Sequence, residues 1–516
     1  MVSIQGRLLS IDDIVQVARN QEVASLSEEG RAAVAKSRET LENLLKKQSP
    51  VYGINTGFGI FAERRIPPED SARLSRNLIL SHAVGSGAPL DAEVVRAAML
   101  VRANTLSKGF SGVRLAVIET LLEMLNRNVT PVVPSQGSLG SSGDLCPLSH
   151  MALVFTTDER DLGEESGFAY FDGAVLDGKT AMQRAGLERV HLGPKEGLAI
   201  NNGATFSAAL GALAAYDARY LLDLADVALA MSLEALLGCS AAFDARLHQA
   251  RGHAGQMHSA ARVLALLQGS SLLDAACRIQ DAYSLRCAPQ VQGAARDTLE
   301  FVWRTLEIEI NAATDNPLLF EPGDAISGGN FHGEPVGMAL DYLGIAMSEV
   351  ASISERRVYR LTDGKINGGL PPMLVDTDED AGLNSGLMIP QYTAASIVME
   401  NQTLASPDSV LSLPTSGGQE DHNANAMNAA KHARTIVQNT AQVLAIELYT
   451  AARALDLRLR LMPGAKLGAG TARAYAAIRA AVPYQPGDAW WGPEIEQVRA
   501  LVDAQAIPVT TGEDTV

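Results

Sequence analysis

The sequence predicts a mainly α-helical protein built on a bundle of long helices, with a smaller loop-rich α(+β) region at its N-terminal end. Aromatic residues make up only 5% of the chain, and alanine is frequent, a combination that favours closely packed helices over a β-sandwich. From residue 203 onward, apolar residues recur at helical spacing over unusually long segments. We therefore expect two domains, at residues 1–200 and 201–516.

The N-terminal elements are predicted to be short. Residues 9–48 have the pattern of two helices, the first with Ser10 as its N-cap. Later segments are predicted as a Gly-rich loop at 50–70, helices at 71–82 and 92–107, and a surface loop with a hairpin at 157–185. These elements make the N-terminal part of the chain the main place for strands and irregular loops.

Long helices are predicted for most of the remaining chain. The segments with helical spacing are 203–237, 256–267, 293–312, 336–362, 385–404 and 422–460. In the last of them, one apolar stripe includes Ile436, Val443, Leu448 and Leu455. Charged residues such as Asp217 and Asp223 interrupt the first, so we expect a buried helix there and not a membrane span. Helices of this length indicate a bundle, with helices shared between subunits.

Charge and cysteine content exclude several classes of partner. The chain has 42 Lys and Arg against 59 Asp and Glu, a net charge of −17, which disfavours nucleic acid and anionic membranes. The pair Arg64-Arg65 is expected to be solvated surface. Four cysteines without CxxC spacing, and a start without a long apolar segment, predict buried, reduced thiols and a cytoplasmic protein.

Residues 135–143 form the most unusual segment of the chain. Seven of these nine residues are Gly or Ser, yet apolar sequence flanks them on both sides. One chemistry fits: the amide nitrogen of Gly143 attacks the carbonyl of Ser141, and loss of two waters turns Ser142 into a methylidene carbon. Taken alone, the nine residues favour the alternative, which is a tight Gly/Ser turn without chemistry.

Ten ordered motifs resemble the aromatic amino acid ammonia-lyases and aminomutases, and most closely the histidine ammonia-lyases. They extend over about residues 50 to 460. The motifs are Tyr52–Gly59, Leu80–His82, Ser107–Gly112, residues 135–150, Lys195–Leu198, Asn202–Gly203, Gln280–Cys287, Thr314–Pro317, Gly328–His332 and Gln419–His422. Each alone is a weak signal, but the ordered set is highly specific.

The resemblance implies the histidine/phenylalanine ammonia-lyase type of long-helix fold, a homotetramer and a small amino acid as substrate. It implies loss of the α-amine and a β-proton, most simply from L-histidine to give urocanate and ammonia. The cofactor implied is a 4-methylideneimidazol-5-one (MIO) ring made from Ser141-Ser142-Gly143, which captures the amine. The family's triad usually begins with Ala, but only the carbonyl of Ser141 would react.

The resemblance also assigns roles to individual residues. Tyr52 would be the base and Tyr283 would stabilise developing negative charge. The guanidinium of Arg286 can bind the substrate carboxylate in bidentate fashion; the alternative role for this residue is a structural salt bridge. The residues expected to orient substrate or line the pocket are Asn202, Gln280, Asn316 and Phe331. Asp144 would either assist ring formation or cap the helix that follows it.

Three residues are predicted to select the substrate: His82, Met388 and Glu420. A carboxylate at Glu420 can accept the N–H of an imidazole, whereas facing a phenyl ring it would be a costly buried charge. The alternative for His82 is a structural role, as a core histidine whose hydrogen bonds are satisfied within the protein. For Met388, core packing is the simpler interpretation. The histidine spacings match no metal motif, so no metal is expected.

Other functions remain open at this stage. A substrate with a good leaving group, such as the trimethylammonium of an imidazole betaine, needs no electrophile. An ergothionase-like lyase that releases trimethylamine would then leave Ser141-Ser142-Gly143 uncyclised. A 2,3-aminomutase is a further option within the same fold. A helical scaffold without catalysis is disfavoured, because Tyr52, Arg286 and the triad would have no reason to coexist.

Overall fold

The computed structural model describes residues 1–46, 51–276 and 278–510, and within these ranges the protein is mainly α-helical, as predicted. The chain divides into two compact units. The first comprises Met1–Tyr216, Val302–Asp341 and Pro407–Lys431, and the second comprises Asp217–Phe301, Tyr342–Ser406 and His432–Val516. The expected domain boundary at residue 200 stays a prediction.

Short helices form the N-terminal part of the chain. They are Ile11–Ala18, Glu28–Lys46, Ser71–His82, Ala92–Ser107, Leu115–Asn126, Leu145–Phe155, Gly178–Arg184 and Glu196–Asn201. Ser10 caps the first helix in a capping box, because its hydroxyl accepts the Asp13 N–H and its own N–H donates to the Asp13 carboxylate. The predicted helices at 71–82 and 92–107 are confirmed. Residues 47–50, which the predicted second helix and Gly-rich loop both reach, lie outside the described residues.

Strands are short and lie mostly in the N-terminal part of the chain. Three antiparallel strands include the predicted hairpin, Phe168–Phe171 with Ala174–Asp177. The other pairs are parallel Val2–Ile4 with Ala24–Leu26, antiparallel Ser86–Pro89 with Pro134–Gln136, parallel Thr156–Thr157 with Val190–His191, and antiparallel Leu318–Phe320 with Asp324–Ile326. The third strand of the hairpin sheet is Thr130–Pro131. Sheets this small depend on the helices around them for stability.

The six predicted long segments are helical. Their bounds are Thr205–Ala235, Ala254–Leu266, Ala288–Glu309, Glu334–Thr362, Met388–Leu404 and Ala426–Leu461. The remaining helices are Ala245–Arg251, Tyr283–Arg286, Ala469–Ala481 and Trp491–Asp503. The stripe from Ile436 to Leu455 is buried, which confirms the face that its spacing predicts.

Helix Ala92–Ser107 is the centre of the first unit. Its residues from Val94 onward are buried around the whole circumference, and it packs on Ile11–Ala18 and Leu115–Asn126. The buried Arg96 guanidinium donates to the Val17, Ala18 and Leu125 carbonyls. It thereby caps the C-terminal ends of both neighbouring helices.

The second unit has a buried ion pair between two of its long helices. Arg357 and Glu447 are both fully buried, and the guanidinium binds the carboxylate in bidentate fashion. Ser232 and Ser354 each donate a hydroxyl to one carboxylate oxygen. Because each oxygen of this buried charge is hydrogen-bonded twice, the desolvation cost of the pair is offset.

Membrane and redox features differ in part from the sequence expectations. Within the described ranges, Glu334–Thr362 is the one helix that is long and apolar enough to cross a membrane by length and composition, and 67% of its most apolar window is buried. Cys146 and Cys239 are buried free thiols, as expected, whereas Cys287, which directly follows helix Tyr283–Arg286, is partly exposed. Cys277 lies outside the described residues.

Candidate active site

A cavity of about 1090 Å³ lies in the first unit. It collects chain segments that are distant in sequence: the 52–66 loop, helix Ser71–His82, the Ser/Gly loop, residues 316–332 and residues 416–422. Eight of the predicted site residues line it: Tyr52, His82, Ser141, Ser142, Asn202, Asn316, Phe331 and Glu420. The structure therefore brings together most of the residues that the sequence motifs selected.

Gly143 is a glycine because two backbone segments meet there. Its φ is +75°, and it forms a bridge with Gly203. A Cβ atom at Gly143 would lie 2.0 Å from the Gly203 carbonyl carbon, far inside van der Waals contact. The Asp144 N–H donates to the Gly203 carbonyl at 2.8 Å. The triad is thus held directly against the segment that carries Asn202.

Glu420 contacts both serines of the triad. The Ser141 Oγ donates to Glu420 Oε2 at 2.8 Å, and the Ser142 Oγ donates to Oε1 at 2.9 Å. A backbone bridge fixes the glutamate, because Thr415 N–H donates to the Glu420 carbonyl at 2.8 Å and receives a bond in return. The Thr415 hydroxyl also donates to Oε2 at 3.3 Å, so Oε2 accepts two hydroxyls and Oε1 accepts the Ser142 hydroxyl.

Two donors hold the carbonyl oxygen of Ser142. Asn202 Nδ2 donates to it at 2.8 Å, and the Gly203 N–H donates at 3.3 Å. The other amide atom, Asn202 Oδ1, is buried and has no hydrogen-bond partner in the described part of the chain. An unsatisfied acceptor in a cavity wall is costly unless a ligand donates to it.

Arg102 positions Asn202 from the core. The guanidinium is fully buried and donates to the Ala199 carbonyl at 2.7 Å, the Ile200 carbonyl at 2.9 Å and the Asn202 carbonyl. It thereby caps the C-terminal end of helix Glu196–Asn201, which carries Asn202 directly after it. Burial lowers the pKa of Arg102 to about 10, a value at which it still carries its charge at neutral pH.

Asn316 is placed by a buried ion pair. Lys195 and Asp315 are both fully buried and bind each other, and the Ser111 hydroxyl donates to Asp315 at 2.7 Å. The Asn316 side chain then donates to Ser327 Oγ at 2.9 Å and accepts the Gly328 N–H at 2.8 Å. Its amide is therefore engaged in shaping the 327–328 wall of the cavity.

Asp144 does not cap the helix that follows it. Its carboxylate accepts the Ser138 hydroxyl at 2.7 Å, and the Ser207 N–H and hydroxyl at 2.8 and 2.9 Å. No side-chain cap bond reaches helix Leu145–Phe155, and the contact goes to helix Thr205–Ala235 instead. The prediction that Asp144 caps the helix after it, Leu145–Phe155, is therefore wrong. Burial raises the pKa of Asp144 against the opposing effect of these bonds.

Tyr52 and His82 line the cavity from two different chain segments. The Tyr52 phenol oxygen accepts the Gly59 N–H at 3.4 Å. His82 is half-buried, and its Nδ1 lies 3.0 Å from the Ser81 hydroxyl. Burial lowers the pKa of His82, with the Leu78 carbonyl and the charge of Glu420 opposing that effect.

Four predicted site residues belong to the second unit and are not among the residues that line this cavity. Tyr283 is 70% exposed, and the Arg286 guanidinium stacks on its ring at 4.8 Å. Gln280 is also exposed. Met388 is 41% exposed, so core packing, the simpler interpretation of this residue, is wrong for this chain. Met388 begins helix Met388–Leu404, where a side chain is covered on one side only.

Several cavity residues were missed by the sequence analysis. Leu74, Asn77 and Leu78 lie on the helix face of His82. Helical periodicity predicts this face, because Leu78 and Leu74 precede His82 by four and eight residues. Arg64 is exposed, as expected of a solvated residue, yet it also lines the cavity. His422 stacks on His332 at the cavity wall, a pairing with no local sequence signal.

A second, smaller cavity of about 660 Å³ lies in the second unit. Its lining is mainly apolar, with Phe301, Tyr342 and Ile345 among the residues. The charged residues there are Asp297 and Glu349 alone, which gives no acid–base or nucleophile arrangement. Within the described ranges, no group of three or more His, Cys, Asp or Glu residues is arranged to hold a metal ion.

Comparison with known proteins agrees with this geometry. The model of the aromatic amino acid lyase family matches residues 9–480. A histidine ammonia-lyase of Caldanaerobacter subterraneus is 50% identical over 481 residues, 93% of this chain and 92% of the relative. The crystal structure of histidine ammonia-lyase from Trypanosoma cruzi has a TM-score of 0.90 and 37% identity, covering 99% of this chain and 95% of that one.

An ergothionase is more distant in sequence. The Treponema denticola enzyme has a TM-score of 0.89 at 28% identity, covering 98% of this chain and 99% of that chain. The family match spans most of the chain, and its motifs meet in one cavity. The chain belongs to the aromatic amino acid lyase family.

Proposed function

We propose that this protein is a carbon–nitrogen lyase that converts L-histidine to urocanate and ammonia. The observation that carries the proposal is the position of the Glu420 carboxylate, within hydrogen-bond distance of Ser141 and Ser142 in the cavity that Tyr52 also lines. A carboxylate there suits an imidazole N–H and would be costly against a phenyl ring. A relative that is 50% identical over 93% of this chain is also a histidine ammonia-lyase.

We further propose that Ser141-Ser142-Gly143 cyclises to the MIO ring. Three features fit the ring: Gly143 has no side chain to obstruct it, its N–H donates to no acceptor in the described ranges, and Asn202 and Gly203 hold the Ser142 carbonyl. Once formed, the ring would supply an electrophilic carbon for the substrate amine, which would make the amine a better leaving group.

The remaining cavity residues orient the substrate and move its protons. Tyr52 accepts the β-proton, with the Gly59 N–H stabilising the charge on its oxygen. The unpartnered Oδ1 of Asn202 accepts an N–H of the substrate amine. Glu420 binds the imidazole, and half-buried His82 together with Phe331 completes the pocket around the ring.

Tyr283 and Arg286 are proposed to act in a homotetramer. Both lie in the second unit, where the Arg286 guanidinium stacks on the exposed Tyr283 ring and its Nε donates to the Asp281 carbonyl at 2.9 Å. In that arrangement Arg286 binds the substrate carboxylate and Tyr283 stabilises developing charge, with Gln280 and Met388 contributing from the same unit. A cytoplasmic location is proposed with it, consistent with the free cysteines of the described ranges.

Two measurements test the function. Purified protein with L-histidine should release ammonia and a product with the ultraviolet absorbance of urocanate, and tyrosine and ergothioneine should react far more slowly. Intact mass should lie about 36 Da below the sequence mass, which corresponds to two waters lost in forming the electrophile. An unshifted mass with release of trimethylamine from ergothioneine would favour the betaine lyase. A β-amino acid product would indicate an aminomutase.

A further inference from the structure

In the uncyclised chain, the Glu420 carboxylate is hydrogen-bonded to the hydroxyls of Ser141 and Ser142. We propose that Glu420 is the acid that protonates the departing hydroxyl of Ser142 during ring formation, and that the same carboxylate oxygen is then free for the substrate imidazole. This inference rests on the proposed function, because it concerns how the site of that function matures. It gives one side chain two successive tasks.

The contact geometry supports the first task. In the uncyclised chain, Ser142 Oγ lies 2.9 Å from Glu420 Oε1, which is the distance of a hydrogen bond along which a proton moves. The carboxylate cannot turn away easily, because Ser141 Oγ lies 2.8 Å from the other oxygen and the Thr415 bridge holds the backbone. The leaving hydroxyl is thus fixed against an acid.

The carbonyl group of Ser142 is also positioned for this elimination. Loss of water from Ser142 requires its Cα–H to ionise, and the negative charge then moves onto the Ser142 carbonyl oxygen. Asn202 Nδ2 and the Gly203 N–H both point at that oxygen, at 2.8 and 3.3 Å. Two N–H donors on a developing oxyanion are the arrangement that stabilises enolate-like charge. One serine therefore has donors at its carbonyl and an acid at its hydroxyl.

The chemistry balances. The Gly143 nitrogen forms a bond to the Ser141 carbonyl carbon. The carbonyl oxygen of Ser141 then leaves as water, together with the amide protons of Gly143 and Ser142. In Ser142 the Cα–H proton passes through cavity water to the Glu420 carboxylate, the Cβ–Oγ bond breaks, and a Cα=Cβ double bond forms. Glu420 gives this proton to the departing hydroxyl, which leaves as the second water, so Glu420 begins and ends the step as a carboxylate.

Neighbouring acids are less suited to this task. Asp144 directly follows the triad, but its carboxylate already accepts three hydrogen bonds, from Ser138 and from the backbone and hydroxyl of Ser207. Asp421 lines the cavity but is exposed to solvent. Among the described residues, Glu420 is the carboxylate that contacts the Ser142 hydroxyl.

The second task follows from the first. When Ser142 loses its hydroxyl, Glu420 Oε1 loses that partner, whereas Ser141 Oγ stays on Oε2 and keeps the carboxylate in place. A newly unpartnered carboxylate oxygen is the natural acceptor for an imidazole N–H. The serine at position 141 therefore has a use that an alanine would not have.

Glu420→Gln tests the proposal, with Asp421→Asn as its matched control. Both replace one cavity carboxylate by an amide, but only the first removes the acid next to Ser142. Chains made by cell-free synthesis would be quenched at intervals and weighed intact. We expect wild type and D421N to reach the shift of about 36 Da together, and E420Q to form it about 100-fold more slowly. E420Q maturing at the wild-type rate would overturn the proposal.

Two further arms keep the outcomes separate. If E420Q does not give the circular dichroism spectrum and thermal transition of the wild type, Glu420→Ala with added formate replaces it. The full shift should then appear with formate and not without it, and a shift that ignores formate overturns the proposal. An unshifted wild type refutes the cofactor itself. A shifted wild type with an equally fast E420Q refutes only the role of Glu420.

Discussion

Tyr52 is the proposed base: it lines the cavity, and its phenol oxygen accepts the Gly59 N–H. Tyr52→Phe removes that oxygen and leaves the ring in place. We expect kcat on histidine to fall by about 10²- to 10⁴-fold, the usual contribution of a general base, while the intact mass stays about 36 Da below the variant's own sequence mass. Steady-state kinetics and mass spectrometry check this together.

The control for that variant is Tyr170→Phe, on the partly exposed hairpin of the same unit. It should keep both the mass shift and the wild-type kcat. If Y52F lost the mass shift as well as the activity, Tyr52 would belong to ring formation and its role as base would be unsupported. Activity within a few fold of wild type would contradict the base directly.

Gly143 allows a second prediction on a single residue. Gly143→Ala places a Cβ 2.0 Å from the Gly203 carbonyl carbon, while Gly173→Ala has nothing within 4 Å of the new atom. Both glycines have φ near +75°, so both variants pay the same backbone strain of about 1–2 kcal/mol. We expect G173A to retain the mass shift and activity. G143A should lose both, as measured by intact mass and histidine turnover.

Comparing G143A with G173A separates the effect of the close contact with Gly203 from the effect of backbone strain. If G143A and G173A lost stability and mass shift equally, the left-handed φ alone would explain the glycine, and the close approach of Gly203 would be irrelevant. A normal mass shift in G143A would show that the 143–203 contact is not needed for cyclisation.

At the scale of elements, what could be predicted depends on how local the signal is. Ser10 satisfies its helix N-terminus with Asp13, three residues away, so the cap was predictable. The long helices were predictable because their apolar period extends over many turns. Helix Glu196–Asn201 depends on Arg102, about 97 residues away, for its C-terminal cap. No local pattern encodes such a partner.

The site follows the same rule. Its residues could be selected because their motifs resemble a known family, but the contact between Ser142 and Glu420 joins residues 278 positions apart. Asn202 could be predicted as a site residue, yet its bond to the Ser142 carbonyl requires the fold. The short strands were also beyond prediction in detail, because pairs of two or three residues form only where helices hold them together.

The helix Ala288–Glu309 carries a pH-dependent group at its C-terminal end. Burial, with a smaller effect from the charge of Asp144, raises the pKa of Glu309 to about 7 from 4.5. A carboxylate at a helix C-terminus is also disfavoured by the helix dipole. Because the folded-state pKa is above the unfolded one, the stability from protonated Glu309 is fully present below about pH 4.5 and lost as pH rises through about 7.

Glu309→Gln mimics the protonated side chain and should remove this loss. At pH 5 we expect the thermal stability of the variant to equal that of wild type. At pH 8.5 the variant should be more stable by about 1–2 kcal/mol, a discounted value for a group that is partly exposed. Glu300→Gln, at an exposed position of the same helix, should show no such difference between the two pH values. A stability gain of E309Q that is equal at both pH values would contradict the assignment.

At the scale of the whole molecule, one chain supplies a cavity with Tyr52, the triad and Glu420, and separately supplies Tyr283 and Arg286 on the second unit. The proposed reaction needs a cation for the substrate carboxylate as well as an acceptor for its ring. Closed symmetric oligomers commonly build such sites from different copies, because every interface repeats with the symmetry. The proposed homotetramer would therefore be a requirement for activity as well as for stability.

Complementation between two inactive variants tests this arrangement. Y52F and Arg286→Ala are each expected to be inactive alone. If Tyr52 and Arg286 of one site come from different copies, co-expression in equal amounts leaves roughly a quarter of sites with both residues intact, by random assembly of a symmetric oligomer. Histidine turnover should then recover to about that fraction of wild type. If both residues of a site come from the same copy, no mixed oligomer contains an intact site, and the co-expressed pair stays inactive. Mixing the two variants after separate purification is the control, since stable oligomers that do not exchange subunits should remain inactive.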